Sequence, residues 1–419
     1  MEKADGVNRI FGKKMPLFAG TVAVAWSGRD IRRCNIWRFM SVIGAGEGCA
    51  AMKVLFVTSI TQSASHKNLN HFQHVHHLSR TTDFAILGAR GSAFAAARPG
   101  TPVFRSRFSG KLGIVLLALR FALSGRARDY DIVLTDPSLL GFLGWLLKRA
   151  GTRRWVVDAW DIPGRYAMGK HWLNGVRRST ARWFLRTLYR SADLFVVSIL
   201  PEFEFQAFQI PEEKLLRCRN AIWLDDMLDL PPPSDNAAPT ILCMRSVHTA
   251  PMGLDTLAAA YVRVADALPG ASLVLIGRIP EHVEGQAAAL RGRADVTHIE
   301  RLEHDALQRA IAAATVCVVP FHDVDDLRQT YPVKILEYMA LGKPIVASGI
   351  AGMSRMIEDG KTGLLFRPGD PADLAEKLAV VCRDAALRRR LSENARQAVQ
   401  GFDCNAKNEA IRKAMEQLL

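Results

Sequence analysis

The chain has 419 residues, 49% of them hydrophobic, and a net charge of +14 at pH 7, which sets aside a disordered tail or a small stapled scaffold and suits two domains. Its seven cysteines (34, 49, 218, 243, 317, 382 and 404) include no C-x-x-C pair, so a zinc module or disulfide framework is not expected and a reduced, cytoplasmic setting is. The basic excess is confined: residues 52–220 hold 25 Lys and Arg against 11 Asp and Glu, whereas 221–419 hold 22 against 26.

In chain order, residues 1–51 contain one apolar run, Leu17 to Trp26, too short to span a bilayer and without the cleavage grammar of a signal peptide. They read as an extension, either disordered or the product of an upstream start. Met52 to Thr58 reads as a buried first strand. A cluster of histidines follows, His66, His71, His74, His76 and His77, with no carboxylate or Cys at ligand spacing. No metal is expected there; a polar helix face lining a cleft is, with one histidine touching an acceptor. Strands are expected at 83–87, 132–135, 155–158 and 194–197, alternating with amphipathic stretches, which is the pattern of a parallel sheet covered by helices. The apolar runs Gly113 to Leu119 and Leu139 to Leu147 fall short of the ~20 residues a spanning helix needs.

Asp158-Ala159-Trp160-Asp161-Ile162-Pro163 closes the fourth of these strands. A carboxylate at a strand end facing a cleft can orient or deprotonate a hydroxyl, and it can equally cap the next turn. Arg178, Arg182, Arg186 and Arg190 then repeat every four residues, one flank of a helix whose other flank carries Trp183, Phe184, Leu185 and Leu188. Such a face suits an anionic membrane surface, or is a solvated basic face over an ordinary core. No nucleic-acid partner is expected, because no recognition helix, stacking platform or zinc module accompanies the charge.

Residues 221–239, with Pro231-Pro232-Pro233, read as a linker. The alternation then restarts, with strands expected at 240–244, 273–276, 296–299, 316–319, 345–347 and 363–366. The fold class is therefore α/β, with two Rossmann-like parallel-sheet domains, 52–220 and 240–387, facing one cleft. Residues 388–419 read as closing helices.

The most informative stretch is 330–347, Thr-Tyr-Pro-Val-Lys-Ile-Leu-Glu-Tyr-Met-Ala-Leu-Gly-Lys-Pro-Ile-Val-Ala. Pro332 suits the first position of a helix and Gly342 its end. The start of that helix offers unpaired N–H groups and partial positive charge, a seat for phosphate, and Glu337 lies about a turn and a half further in, able to accept two hydroxyl hydrogen bonds.

This string resembles the Pro-x-Lys-x-x-Glu-Tyr-Met-Ala-x-Gly-x-Pro signature of GT-B glycosyltransferases of family GT4, the polysaccharide- and glycolipid-building group. Ile241 to Leu257, Leu273 to Gly277, Asp359 to Leu365 and Asn220-Ala221-Ile222 resemble further segments of that family. The resemblance runs from about Met52 to the C-terminus and is specific in the second half. It implies a retaining hexosyltransferase acting on a nucleotide sugar, UDP- or GDP-linked, without a cofactor or metal. It also implies that the last helix crosses back onto the first domain.

Charge and position offer Arg245, the helix start and Lys334 to the diphosphate; by that resemblance, Arg245 and a Lys at the position of Met252 grip the phosphates, and Glu337 holds the ribose. Gly277 and Arg301 flank the base, while Gln329, Tyr331 and Pro332 complete the donor side. Asp158 and Asp161 stand on the acceptor side. Two positions depart from the family pattern: Gln329 replaces a Glu, and Met252 replaces the phosphate-gripping Lys. Gln still bonds hydroxyls, but Met cannot replace a cation. The expected partners are a lipid-linked or saccharide acceptor and the inner face of the cell membrane, contacted peripherally. Three alternatives stay open: a catalytically silent sugar-nucleotide-binding protein, an inverting transferase with Asp158 as base, and a phosphorylase or epimerase on the same fold.

Overall fold

The computed structural model describes residues 51–58, 70–136, 141–159, 187–197, 210–231 and 238–419. Apolar runs of three to eight residues form two sheets in which every pairing is parallel. The first holds β1 (Lys53–Val57), β2 (Asp83–Gly88), β3 (Val103–Arg105), β4 (Ile132–Thr135), β5 (Arg154–Ala159), β6 (Leu194–Val197) and β7 (Leu215–Arg217), in the order β3-β2-β1-β4-β5-β6-β7. The second holds β8 (Thr240–Val247), β9 (Ser272–Arg278), β10 (Val296–Ile299), β11 (Val316–Val319), β12 (Ile345–Ser348) and β13 (Leu364–Phe366), in the order β10-β9-β8-β11-β12-β13. Each order reverses beside its first strand, β1 or β8. That reversal opens a crevice at the carboxyl ends of the strands, where ligands of such sheets bind.

The strands expected from sequence are all present, and β3 and β7 are additions, short edge strands of three residues each. Among the described residues, the α-helices of eight residues or more are α1 (Asn70–Thr81), α2 (Gly110–Leu123), α3 (Phe142–Arg149), α4 (Leu254–Ala267), α5 (His304–Ala313), α6 (Val333–Ala340), α7 (Pro371–Arg383), α8 (Ala385–Val399) and α9 (Cys404–Glu416). Asp370, Asp384 and Asp403 start the last three by accepting backbone N–H groups, as N-caps do. Strand side chains alternate between two buried faces. Leu55 and Val57 enter one core with Ile114 and Trp155, while Val54 and Phe56 enter the other with Val75 and Met415.

Met415 belongs to α9, so the C-terminal helix packs in the first sheet's core beside Ile411 and Ala414. The chain crosses between the sheets at 220–222 and again at 402–404. The two crossings bind each other: Ile222 N–H donates to the Phe402 carbonyl at 3.0 Å and Cys404 N–H to the Ile222 carbonyl at 2.9 Å. Gln73 of α1 donates to the Ala221 carbonyl at 2.8 Å, and Asn220 donates to the Tyr331 carbonyl at 2.7 Å.

A buried polar chain ties α9 to β5. His74 Nδ1 lies 2.6 Å from Asn408 Oδ1, and His74 Nε2 lies 3.3 Å from Asp158 Oδ2. Asn408 uses its amide nitrogen on the Cys404 carbonyl at 2.8 Å, so its oxygen faces His74 and can only accept. His74 therefore carries a proton on Nδ1. Stripping a buried polar group of its partner costs about 1–3 kcal/mol, more where the group is charged. Asp158→Ala and His74→Leu should each lower unfolding stability by that order in urea titrations, with strong non-additivity in the double variant; independent small effects would show that the pair does not hold α9.

Candidate active site

Arg245 lies near the end of β8, which carries a bulge: Met244 pairs with Ile276 and Val247 with Arg278, so Arg245 and Ser246 stand opposite Gly277 alone. A bulge bends its strand and re-aims a side chain. Gly277 makes this one possible. Its φ is +121°, and a Cβ built on it would fall 1.7 Å from the Arg245 carbonyl oxygen. The His298 ring, on β10, fixes the same loop by donating to the Gly277 carbonyl at 2.8 Å.

The re-aimed Arg245 guanidinium lies 4.6 Å from the centroid of Phe321, a buried residue just past β11. Lys334, on the first turn of α6, brings its ammonium to 5.6 Å from the same ring and donates to the Met244 carbonyl. Two cations thus converge on one aromatic side chain. Burial, then the Arg245 charge, holds the Lys334 amine well below the usual lysine range, while Glu337 one turn on works in the opposite sense. Burial and the charges of Lys334 and Arg245 also push His248 down to about 4 despite its contact with the Ile276 carbonyl, so this imidazole is neutral at pH 7.

Helix α6 is fastened to β8 by its own apolar face. Tyr338 is buried and its hydroxyl accepts the Met244 N–H at 3.3 Å, while Ile335, Leu336 and Met339 enter the core that holds Phe321. The outer face keeps Lys334 and Glu337 half-buried on one side. Pro332 flanks α6 instead of opening it, because its ψ of 123° is extended; Gly342, with φ of +61°, follows the last turn in the left-handed conformation expected of it.

The remaining donor-side positions separate. Gln329 follows the short helical turn Asp325–Arg328 and is partly buried. The Tyr331 carbonyl accepts from Asn220 and its hydroxyl accepts from Arg355 at 3.3 Å, so this residue braces the crossing. Arg301 is exposed just past β10, with Glu303 at 3.8 Å. Met252 packs, partly buried, on the core around Phe321, so no cation stands at its position.

On the acceptor side, Asp158 lies within β5, paired in register with Val196, and is 1% exposed. Its carboxylate meets His74; Oδ1 has no hydrogen-bond partner among the described residues. Asp161, Arg178, Arg182 and Arg186 lie outside the described residues, and Arg190 is exposed. The described histidines of α1 serve the junction: His74 bonds Asn408, His76 meets the Trp223 ring edge-on at 4.6 Å, and His77 meets Glu409 at 3.4 Å. Sequence reading placed these side chains in a cleft because their partners lie up to 334 residues away.

Comparison with known proteins adds to this geometry. The Anabaena HepE structure with UDP and glucose superposes at a TM-score of 0.66, covering 87% of this chain and 100% of that one at 19% identity. The sucrose-phosphate synthase of Thermosynechococcus elongatus gives 0.66 over 88% and 99% at 19% identity. The architecture is GT-B. Residues 238–384 match the family model for glycosyl transferases group 1, and residues 63–204 match the glycosyl transferase 4-like domain. The chain belongs to the group 1 glycosyltransferases, family GT4. Among curated relatives, the sulfoquinovosyl transferase of Arabidopsis thaliana is 30% identical over 40% of this chain and 32% of its own length. The phosphatidyl-myo-inositol mannosyltransferase of Mycobacterium leprae is 30% identical over 36% and 41%. The match spans about a third of the first relative's length.

Gly277→Ala should strain the bulge by about 1–3 kcal/mol and misdirect Arg245. Denaturant unfolding and nucleotide titration would both register the change. Gly285→Ala, where a Cβ meets nothing within 4 Å, is the control; equal behaviour of the two variants would remove Gly277 from the site.

Proposed function

We infer that the protein transfers a hexosyl group from a UDP- or GDP-linked donor to a lipid-linked saccharide or polysaccharide precursor, with retention, in exopolysaccharide or lipopolysaccharide assembly. The observation that carries this reading is the convergence of Arg245 and Lys334 on Phe321 at the start of α6. Cations crowded together are a poor arrangement by themselves and a good one for a diphosphate. The leaving diphosphate gains charge as the bond from the sugar's anomeric carbon to phosphate oxygen breaks. Arg245, Lys334 and the N–H groups at the start of α6 stabilise that charge. The acceptor oxygen forms the new bond, and its proton passes to the departing phosphate.

Retention is favoured over inversion because Asp158, the candidate base, is paired to His74 and 1% exposed. Such a carboxylate is not presented to an acceptor hydroxyl. Two similar proteins support a lipid-linked acceptor: the phosphatidyl-myo-inositol mannosyltransferase, and WaaG, a structural neighbour involved in lipopolysaccharide biosynthesis. The basic first half supports peripheral attachment to the inner face of an anionic membrane. No helix among the described residues is long and apolar enough to cross a membrane.

Calorimetry with a panel of UDP- and GDP-sugars tests the donor side, and nucleotide release on bacterial lipid extract tests turnover. Glu337→Ala should weaken donor binding by ~1.5–3 kcal/mol, the range for a lost charge-assisted hydrogen bond. Unchanged affinity would remove Glu337 from the ribose. Binding without turnover on any acceptor extract would favour the catalytically silent reading that Gln329 and Met252 suggest.

A further inference from the structure

Helix α2 carries more apolar surface than its packing uses. Ile114, Ala118 and Phe121 face the first sheet's core and are buried. The opposite side is also apolar: Leu112 is 68% exposed, Leu116 43%, Leu119 38% and Leu123 87%, and Phe108 just before the helix is 59%. Spacings of four, three and four residues put the four leucines in a single stripe along the helix. Among the described residues, these five make up all but two of the large exposed hydrophobic side chains, Val380 and Leu419 being the others. A helix apolar on every side belongs in a core or against hydrocarbon, and this one has a core on one side only.

The charge around the stripe selects its occupant. Residues 84–128 hold eight Lys and Arg and no Asp or Glu. Arg107, Lys111, Arg120 and Arg126, on or beside α2, are exposed. A second copy of this chain would bring the same positive field against itself, whereas an anionic bilayer supplies both hydrocarbon for the leucines and phosphate for the cations. Helix α2 also begins five residues after β3, so its first turn stands at the carboxyl ends of the strands, the side of the sheet on which the crevice opens.

We propose that α2 is the membrane-seating surface of the protein, lying in the interface of an anionic bilayer with Leu112, Leu116, Leu119 and Leu123 in the acyl region and Lys111, Arg120 and Arg126 among the headgroups. The seating brings the crevice mouth to the lipid surface. It rests on the reading above only for the purpose it serves, delivery of a lipid-linked acceptor; the surface itself is independent of donor chemistry.

Flotation of the full chain with phosphatidylglycerol/phosphatidylcholine (1:1) vesicles tests it, with pure phosphatidylcholine as comparison. The parent should float with the anionic vesicles, and less so in high salt. Leu112→Ser, Leu116→Ser and Leu123→Ser together should lower partitioning at least roughly tenfold, since each leucine withdrawn from hydrocarbon is worth about that factor. Lys111→Gln, Arg120→Gln and Arg126→Gln together should remove most of the salt-sensitive part. Unchanged melting and unchanged nucleotide affinity in both variants would show that they fold and that the donor site is intact; a parent that floats but binds no UDP- or GDP-sugar would count against the donor reading and leave this one standing. Equal flotation of parent and leucine variant overturns the proposal. So does a parent that ignores vesicles and sediments as a dimer that the leucine substitutions convert to monomer.

Discussion

The constraint on which the site depends is a backbone contact. Gly277 lies so close under the Arg245 carbonyl that no side chain fits, and only this approach lets two residues of β8 stand opposite one of β9. The bulge turns Arg245 toward Phe321, and Phe321 also receives Lys334 from α6. The position of α6 follows from the same strand, since the Tyr338 hydroxyl bonds Met244 and the Lys334 amine bonds the Met244 carbonyl. Strand, bulge and helix start are therefore one unit. The depressed Lys334 and the neutral His248 are electrostatic consequences of that crowding in a buried setting.

Among the described residues, the two sheets are joined at the chain crossings and by α9. The crossings at 220–222 and 402–404 hydrogen-bond each other, and α9 returns to seal the first sheet's core. The Asp158–His74–Asn408 chain adds a buried polar specification to an apolar interface. Tyr331, just ahead of the cationic turn of α6, bonds Asn220 of the first crossing. The donor side and the crossing between the sheets therefore share Tyr331.

Most of the fold was legible in the sequence because buried parallel strands are continuous apolar runs, and Leu273–Ile276 or Val316–Val319 admit few other readings. Val103–Arg105 and Leu215–Arg217 escaped because three half-covered residues at a sheet edge leave no run to detect. The cationic turn of α6 was legible through its proline, its glycine and the spacing of Lys334 and Glu337. The part played by Phe321 was not, since a lone Phe after a buried strand reads as core, which it also is. Asp158 was read as facing an open cleft because a strand-end carboxylate next to a second Asp suggests chemistry, and only the fold brings His74 and Asn408 to it. The exposed stripe on α2 was hidden for a different reason: a helix apolar on both sides has no periodicity to reveal which side is covered.

The central claim, that Arg245 and Lys334 form a diphosphate seat, makes a prediction about protons. Lys334 is held well below the ordinary lysine range by burial and by Arg245, so above that depressed value the free site has lost part of its charge. A bound diphosphate favours the charged amine and restores the proton, so binding takes protons up and affinity falls as pH rises through the lowered range. Titration of UDP at a series of pH values from neutral upward, in buffers of different ionisation enthalpy, measures that uptake directly. The account predicts net uptake by the parent and none by Lys334→Met. Binding without proton uptake in the parent, or the same uptake in both proteins, would contradict it.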